Sequence, residues 1–252
     1  MKDNKKFTPS ELYELAREKF YKVYDFPADT KKEDKTWIRV GVLPDVTKEI
    51  RWNYFNGERL LCDDPFDMAE NFCGGTAVVI RNHEYNVLRE DGTLVFDKWY
   101  HYVSKIDDGK HYQVEVKKDE YGIMRKEAFA DADGNIISEW YDQTMTMMNG
   151  NLFCVTKGEK ISERKSAVYD VSKNQVISEW YDTVCLFMGE PKWCRVTNNK
   201  LNNLLKPDGT LYFDKWSKKA IEVNKDGSCQ LLTEDGAAWN ASVVTGEMTR
   251  II

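Results

Sequence analysis

The chain has 252 residues, with 36 Lys and Arg against 42 Asp and Glu and a formal charge of −6. Eight Trp, thirteen Tyr and eleven Phe are too much aromatic surface to leave in water, which excludes a disordered chain. No run of about 18 apolar residues occurs, so no helix is expected to span a membrane, and the acid excess argues against a general nucleic-acid binder, which needs a basic face.

The N-terminus, Met1-Lys2-Asp3-Asn4-Lys5-Lys6, is charged and no apolar stretch follows it. That makes the cytosol the expected compartment. Thr8-Pro9-Ser10-Glu11 then reads as a helix start. Thr8 can cap the free amides of the first turn, Pro9 suits the first helical position, and Glu11 can close a capping box. Leu12, Leu15, Ala16, Phe20 and Val23 recur at helical spacing and define one apolar face. Pro27 and the polar run from Asp29 to Lys35 end the helix. The face can cap the chain's own body or dock on a partner. Residues 1–36 are therefore read as a helix and linker, and residues 37–252 as a β-repeat domain.

The body repeats. Asp91-Gly92-Thr93-Leu94-Val95-Phe96-Asp97-Lys98-Trp99 returns as Asp208-Gly209-Thr210-Leu211-Tyr212-Phe213-Asp214-Lys215-Trp216, identical at eight of nine positions. Between them stand Ile136-Ile137-Ser138-Glu139-Trp140-Tyr141-Asp142 and Val176-Ile177-Ser178-Glu179-Trp180-Tyr181-Asp182. The four tryptophans are 41, 40 and 36 residues apart, a period that means one supersecondary unit copied in tandem. A looser copy begins at Trp52-Asn53-Tyr54-Phe55-Asn56-Gly57, where Asp64-Pro65-Phe66-Asp67 replaces the tryptophan block. Leu231 to Gly236 looks like the start of another. The expectation is about five units and a terminal part-unit.

Each unit follows one grammar. An apolar run such as Val87-Leu88 or Leu204-Leu205 leads to a turn at Asn56-Gly57, Asp91-Gly92, Asp133-Gly134, Lys173-Asn174 or Asp208-Gly209. Gly and Asn tolerate the positive φ such turns need. A second run ends at the tryptophan block. A second turn follows at Gly74-Gly75, Asp108-Gly109, Asn149-Gly150, Gly189 or Asp226-Gly227. A third run comes next: Ala77 to Ile80, Tyr112 to Val116, Leu152 to Val155, or Trp193 to Val196. Short, β-branched and aromatic runs are strands. The fold class is all-β: tandem antiparallel β-meander repeats, in an open or propeller-like array, with one N-terminal α-helix. One meander cannot bury its own apolar face, so neighbours must stack.

This pattern resembles the WG-repeat family of β-repeat proteins over residues 50–236. Trp52-Asn53-Tyr54-Phe55 and Tyr85-Asn86-Val87-Leu88 stand at that family's signature strand, with Asn for Gly. Tyr141-Asp142 and Tyr181-Asp182 match its Tyr-Asp pair, and Phe72 with Gly74-Gly75, and Phe187 with Gly189, match its later aromatic-and-Gly step. No Trp-Gly dipeptide is present. The Asn-for-Gly form, with Lys or Glu before Trp, looks like that of gut Bacteroidales and their phages. The resemblance implies a tandem array used for interaction or surface display, with no activity assigned to the repeat.

Chemistry is sparse in the sequence. Phe72-Cys73-Gly74-Gly75 is the nearest approach to a nucleophile motif, but Gly74-Gly75 falls at the unit's second turn, and a reactive thiol needs a base. The imidazoles are His83, His101 and His111, read as exposed strand or turn residues. Cys62, Cys73, Cys154, Cys185, Cys194 and Cys229 have neither Cys-x-x-Cys pairing nor a zinc-like His offset, and read as thiols in a reducing compartment. Asp63-Asp64, Asp107-Asp108 and Asp97/Asp214 follow the repeat and read as turn formers or solvated edges. No metal, cofactor or catalytic residue is assigned. Trp99, Trp140, Trp180 and Trp216 are the candidate binding residues. They either wedge between stacked units or line a surface for a sugar ring, a base or a peptide. The functional expectation is a non-catalytic scaffold that binds another protein. The alternative is small-molecule or glycan binding through the aromatic surfaces, and an unrecognised Cys-dependent enzyme is a further one.

Overall fold

The computed structural model describes residues 7–26, 35–43, 49–117, 125–148, 150–158 and 160–252. Met1 to Lys6, Pro27, the run from Asp29 to Asp34, and Asn149 lie outside the described residues. The chain forms two compact units, Met1–Ile137 and Ser138–Ile252.

The first unit opens with α1 (Pro9–Lys19). Its capping box is complete: the Glu11 amide donates to the Thr8 hydroxyl at 3.3 Å and the Thr8 amide donates to the Glu11 carboxylate at 2.8 Å. Leu12 and Ala16 are buried against Ile38, Val40 and Phe55. The apolar face thus covers the chain's own sheet. The helix stops earlier than its spacing suggests. Phe20 is extended, and Val23 lies in strand β1 (Lys22–Tyr24), not on the helix. Lys22, Val23 and Tyr24 instead pair with Gly41, Val40 and Arg39, a ladder that helix propensity does not foresee.

Three sheets follow in this unit. β1, β2 (Ile38–Val42) and β3 (Arg51–Phe55) form the first. β4 (Met68–Ala69), β5 (Thr76–Arg81) and β6 (Glu84–Arg89) form the second. β7 (Tyr102–Ile106), β8 (His111–Lys117) and β9 (Arg125–Asp131) form the third.

The second unit repeats the plan. Its sheets are β10 (Gln143–Met148), β11 (Leu152–Lys157), β12 (Lys165–Asp170) and β13 (Gln175–Val176); then β14 (Thr183–Val184), β15 (Cys194–Asn198) and β16 (Leu201–Leu205); then β17 (Ser228–Leu232), β18 (Ala238–Ser242) and β19 (Met248–Arg250). All pairings are antiparallel between chain neighbours, so each sheet is a meander. The described residues hold six sheets in all, where the repeat count suggested five units and a part-unit. Two observations explain the difference. Residues from Lys22 onward complete a sheet ahead of Trp52, and the terminal fragment closes into a full meander.

The third strand of a sheet carries Asn53, Asn86 or Asn203, and the chain then returns along it. After β6, the return segment touches the strand at Leu88↔Leu94 and again at Tyr85↔Tyr100, with Trp99 just before the second contact. Trp52↔Phe66, Ser166↔Tyr181 and Asn202↔Ser217 are the same contact in other sheets. The tryptophan block is therefore the connection from one sheet to the next rather than the end of a strand.

Neighbouring sheets meet through the turn glycines. Gly92, Gly134 and Gly209 all have φ near +90°, at 90°, 91° and 87°. A Cβ on Gly92 would stand 3.4 Å from the Leu61 carbonyl oxygen, and one on Gly134 would stand 2.5 Å from that of Val95. A Cβ on Gly209 would land on the Ile177 carbonyl. Leu61, Val95 and Ile177 occupy equivalent places, since their amides donate to Tyr54, Val87 and Val168. Each such turn thus rests its bare backbone on the return segment of the sheet before it.

Candidate functional site

The repeated polar residues are consumed in holding the meander. Asn86 is fully buried. Its amide nitrogen donates to Phe96 O at 3.0 Å and Lys98 O at 3.1 Å, and its oxygen accepts from Val87 N at 2.7 Å and Phe96 N at 3.2 Å. Asn203 makes the same bonds to Phe213 O, Lys215 O and Leu204 N. Asn53 donates to Cys62 O and accepts from Cys62 N and Tyr54 N. The Asn at this repeated position is a latch between the third strand and the return segment. In the fourth sheet Ala167 takes this place, and the Ser178 hydroxyl accepts from Val168 N at 2.9 Å instead.

The Tyr-Asp pair has an equally local task. Asp182 accepts from Asn199 N at 2.6 Å and Asp67 accepts from Asn82 N at 2.6 Å. Both amides open two-residue hairpins whose residues, Asn82-His83 and Asn199-Lys200, all have positive φ. Asp142 accepts likewise from Gly158 N at 2.9 Å.

The turn aspartates bind their own loops. Asp91, Asp208 and Asp226 accept from the hydroxyl and amide of Thr93, Thr210 and Ser228, and Asp235 from the Thr233 hydroxyl and the Ala237 amide. The hydroxyl bond leads in holding each of these carboxyls below its ordinary range. A depressed folded-state pKa adds stability above the unfolded value, near 3.9, which is lost as pH falls through the folded value. The melting temperature should therefore drop as the pH falls below about 5, and an Asp91→Asn/Asp208→Asn/Asp226→Asn triple variant should show a flatter decline in thermal unfolding followed by circular dichroism. Equal slopes would refute the assignment.

The four candidate tryptophans are half-buried. Trp99 packs on a core of Tyr54, Phe66 and Phe72. The Arg81 guanidinium sits 4.9 Å from the Phe66 ring and 5.6 Å from Trp99. Trp180 lies 6.5 Å from the Tyr141 ring, and Lys157 stands 4.8 Å from the former and 5.7 Å from the latter. Lys157 also pairs with Glu139 at 2.6 Å, next to Trp140. Trp216 lies 6.0 Å from Tyr181 and packs on the core around Cys194 and Leu205. Trp99, Trp180 and Trp216 thus each reach the aromatic of the preceding block, and in two sheets a cation joins the pair.

The nucleophile candidate has different surroundings from those a reactive thiol needs. The Cys73 thiol points at the Asp108 carboxylate at 3.8 Å. His111 opens β8, and its Nδ1 lies 3.3 Å from Asp107 of the adjoining turn. Gly74 and Gly75 have φ of 62° and 74°, as the turn reading requires. All six cysteines are free, and Cys154, Cys194 and Cys229 are buried. Burial raises the Cys154 and Cys194 thiols and pushes Cys229 up to about 11. Asp63, Asp64, Asp97 and Asp214 are exposed. Among the described residues no group of three or more His, Cys, Asp or Glu is arranged to hold a metal ion, and no helix is long and apolar enough to cross a membrane.

Among the described residues, the first unit carries a groove and a smaller cleft. A groove of about 590 Å³ is lined by Arg51, Asp64, Asp67, Arg81 and Asn82 among others. Arg51 pairs with Asp67 there at 3.1 Å, and Arg81 donates to the Asp64 backbone carbonyl at 3.1 Å. A smaller cleft of about 380 Å³ is lined by His83, Tyr85, His101, Tyr102, Glu115 and Arg125. Sequence reasoning passed over it. The signal was an exchange at two repeat positions. His101 stands where other sheets have Asp67, Asp142 and Asp182, and Glu115 stands where they have Ile80, Thr156 and Thr197, as their shared backbone bond shows. Burial first, then the Lys117 charge, hold the His101 imidazole below its ordinary range, with Glu115 opposing them.

Six consecutive antiparallel meanders among the described residues, three of them latched by an equivalent Asn, define a tandem β-repeat protein with a helical cap. No protein-family model and no curated protein matches the chain. Among solved structures it is similar to the eukaryotic initiation factor, at 11% identity over 73% of this chain and 52% of that one, with a TM-score of 0.43. It is similar as well to the C-terminal WD40 domain of Sif2, at 8% identity, 86% and 67% coverage and a TM-score of 0.31. The tricorn protease matches at 9% identity, 86% and 29% coverage and a TM-score of 0.31. The chain spans about half the length of the initiation factor chain.

Proposed function

We propose that this protein is a β-repeat scaffold of the WG-repeat kind that binds another protein in the cytosol. The observation that carries this reading is where the apolar side chains go. The latch, cap and turn residues are satisfied inside their own sheets, yet the first strands of three consecutive sheets expose Met68 (60%), Tyr102 (43%) and Met145 (41%). Large apolar groups left open on ordered strands favour protein contact. The six free thiols accord with a reducing compartment. Glycan stacking on Trp99 and Trp180 has less support, because Arg81 and Lys157 already lie over those rings.

The test is affinity capture from a lysate of gut Bacteroidales, the host class suggested by the sequence dialect. The bait is the full chain and, in parallel, its Met68→Glu/Met145→Glu variant. A discrete partner is expected to be held by the first and lost by the second, with unchanged circular dichroism. Equal capture by both, or none by either, would overturn the reading. Removing residues 1–35 is a poor alternative, since it deletes β1 and uncovers Ile38, Val40 and Phe55.

A further inference from the structure

The Glu115 side chain is only 10% exposed, and its Oε1 accepts no hydrogen bond from the described residues. Arg125 Nη1 approaches that oxygen to 3.3 Å and His101 Nε2 to 3.6 Å, both without hydrogen-bond geometry. A buried carboxylate in this state carries an unmet demand for donors. Above it lies the cleft of about 380 Å³, and two of its walls are Tyr85 and Tyr102, with ring centroids 5.2 Å apart. Aromatic faces beside a carboxylate suit a flat organic cation, which stacks on the rings and gives paired N–H donors to the acid. Arg125 illustrates the fit: its half-exposed guanidinium already leans into the cleft but is poorly aligned.

We propose that this cleft receives the guanidinium of an arginine on a protein partner, which displaces Arg125 and supplies Glu115 with the hydrogen bonds it lacks. The proposal rests on the scaffold reading and names the chemistry of one contact. The chain's net charge of −6 favours a basic partner.

The probe is Nα-acetyl-arginine methylamide, titrated into the full chain while the imidazole Cε1–H signals are followed by NMR. With only three histidines the signals are assignable by substitution. A saturable shift of His101 that leaves His111 in place is expected. The neutral citrulline analogue should leave both unmoved. Glu115→Gln should weaken the response at least tenfold, and Arg125→Ala should tighten it several-fold by removing the internal competitor. Should Glu115→Gln fail to fold, the exposed Tyr102→Ala serves, with a several-fold loss expected. No His101 shift with either wild type or Arg125→Ala, an equal response to citrulline, or stronger binding of the lysine analogue would overturn the proposal. The probe needs no partner, so its failure leaves the lysate capture standing, and failure of the capture does not touch this titration.

Discussion

Gly209→Ala should destabilise the second unit by about 4 kcal/mol, while Gly236→Ala should cost only about 1–2 kcal/mol. The two glycines share a φ of +87°, so the intrinsic strain of an L-residue is the same at both. Their surroundings differ. Nothing lies within 4 Å of a Cβ on Gly236, whereas one on Gly209 would land on the Ile177 carbonyl, with the Ser178 amide nitrogen 3.2 Å away. Backbone cannot rotate aside as a side-chain tip can. The turn must lift off the preceding return segment, and the core that joins Cys154 and Val168 to Cys194 and Leu205 must open with it. Urea unfolding of the full chain and both variants, followed by tryptophan fluorescence, measures the difference. Equal midpoints would mean that neighbouring sheets do not depend on this backbone contact.

Much of the fold was legible because turns and burial leave local traces. Asp-Gly and Asn-Gly dipeptides required positive φ and have it, at Gly57, Gly92, Gly134 and Gly209. Runs such as Ala77 to Ile80 and Leu152 to Val155 are rich in β-branched and apolar residues because the middle strand is buried on both faces. The phase of the repeat was not legible. Trp52 looks like a beginning but lies on a third strand, since Ile38 to Val42 carries no turn dipeptide to announce it. Val23 fell in with a helical period that Phe20 had already broken. Nor could the sequence show Asn86 as a latch, because its partners lie 10 and 12 residues on, beyond a turn. Glu115 became visible only after the sheets were aligned through hairpins of unequal length. As one acid among 42 it has no local signature.

The latch leads to the second large effect. Asn86→Ala should cost about 3 kcal/mol or more, because it strands two carbonyls and two amides in a buried position. Asn86→Asp is nearly the same size and should do at least as badly, since it sets a carboxylate against the Phe96 and Lys98 carbonyls. A cavity alone would spare the Asp variant, so the pair separates lost volume from lost hydrogen bonds. The reverse exchange should fail too. Trp99 and Trp216 stand seven positions after Gly92 and Gly209, but Trp140 and Trp180 stand six after Gly134 and Asn174. The long form needs a carboxamide to span its extra residue. The short form brings Ser178 within reach of Val168 N, and a fully buried Ala167 leaves the return segment room to approach. Ala167→Asn should therefore destabilise by about 1–3 kcal/mol through overpacking, although it supplies the residue found at Asn53, Asn86 and Asn203. Thermal and urea unfolding of Asn86→Ala, Asn86→Asp and Ala167→Asn would check this coupling between latch and loop length. A neutral or stabilising Ala167→Asn would show that the two forms of the unit are interchangeable one residue at a time.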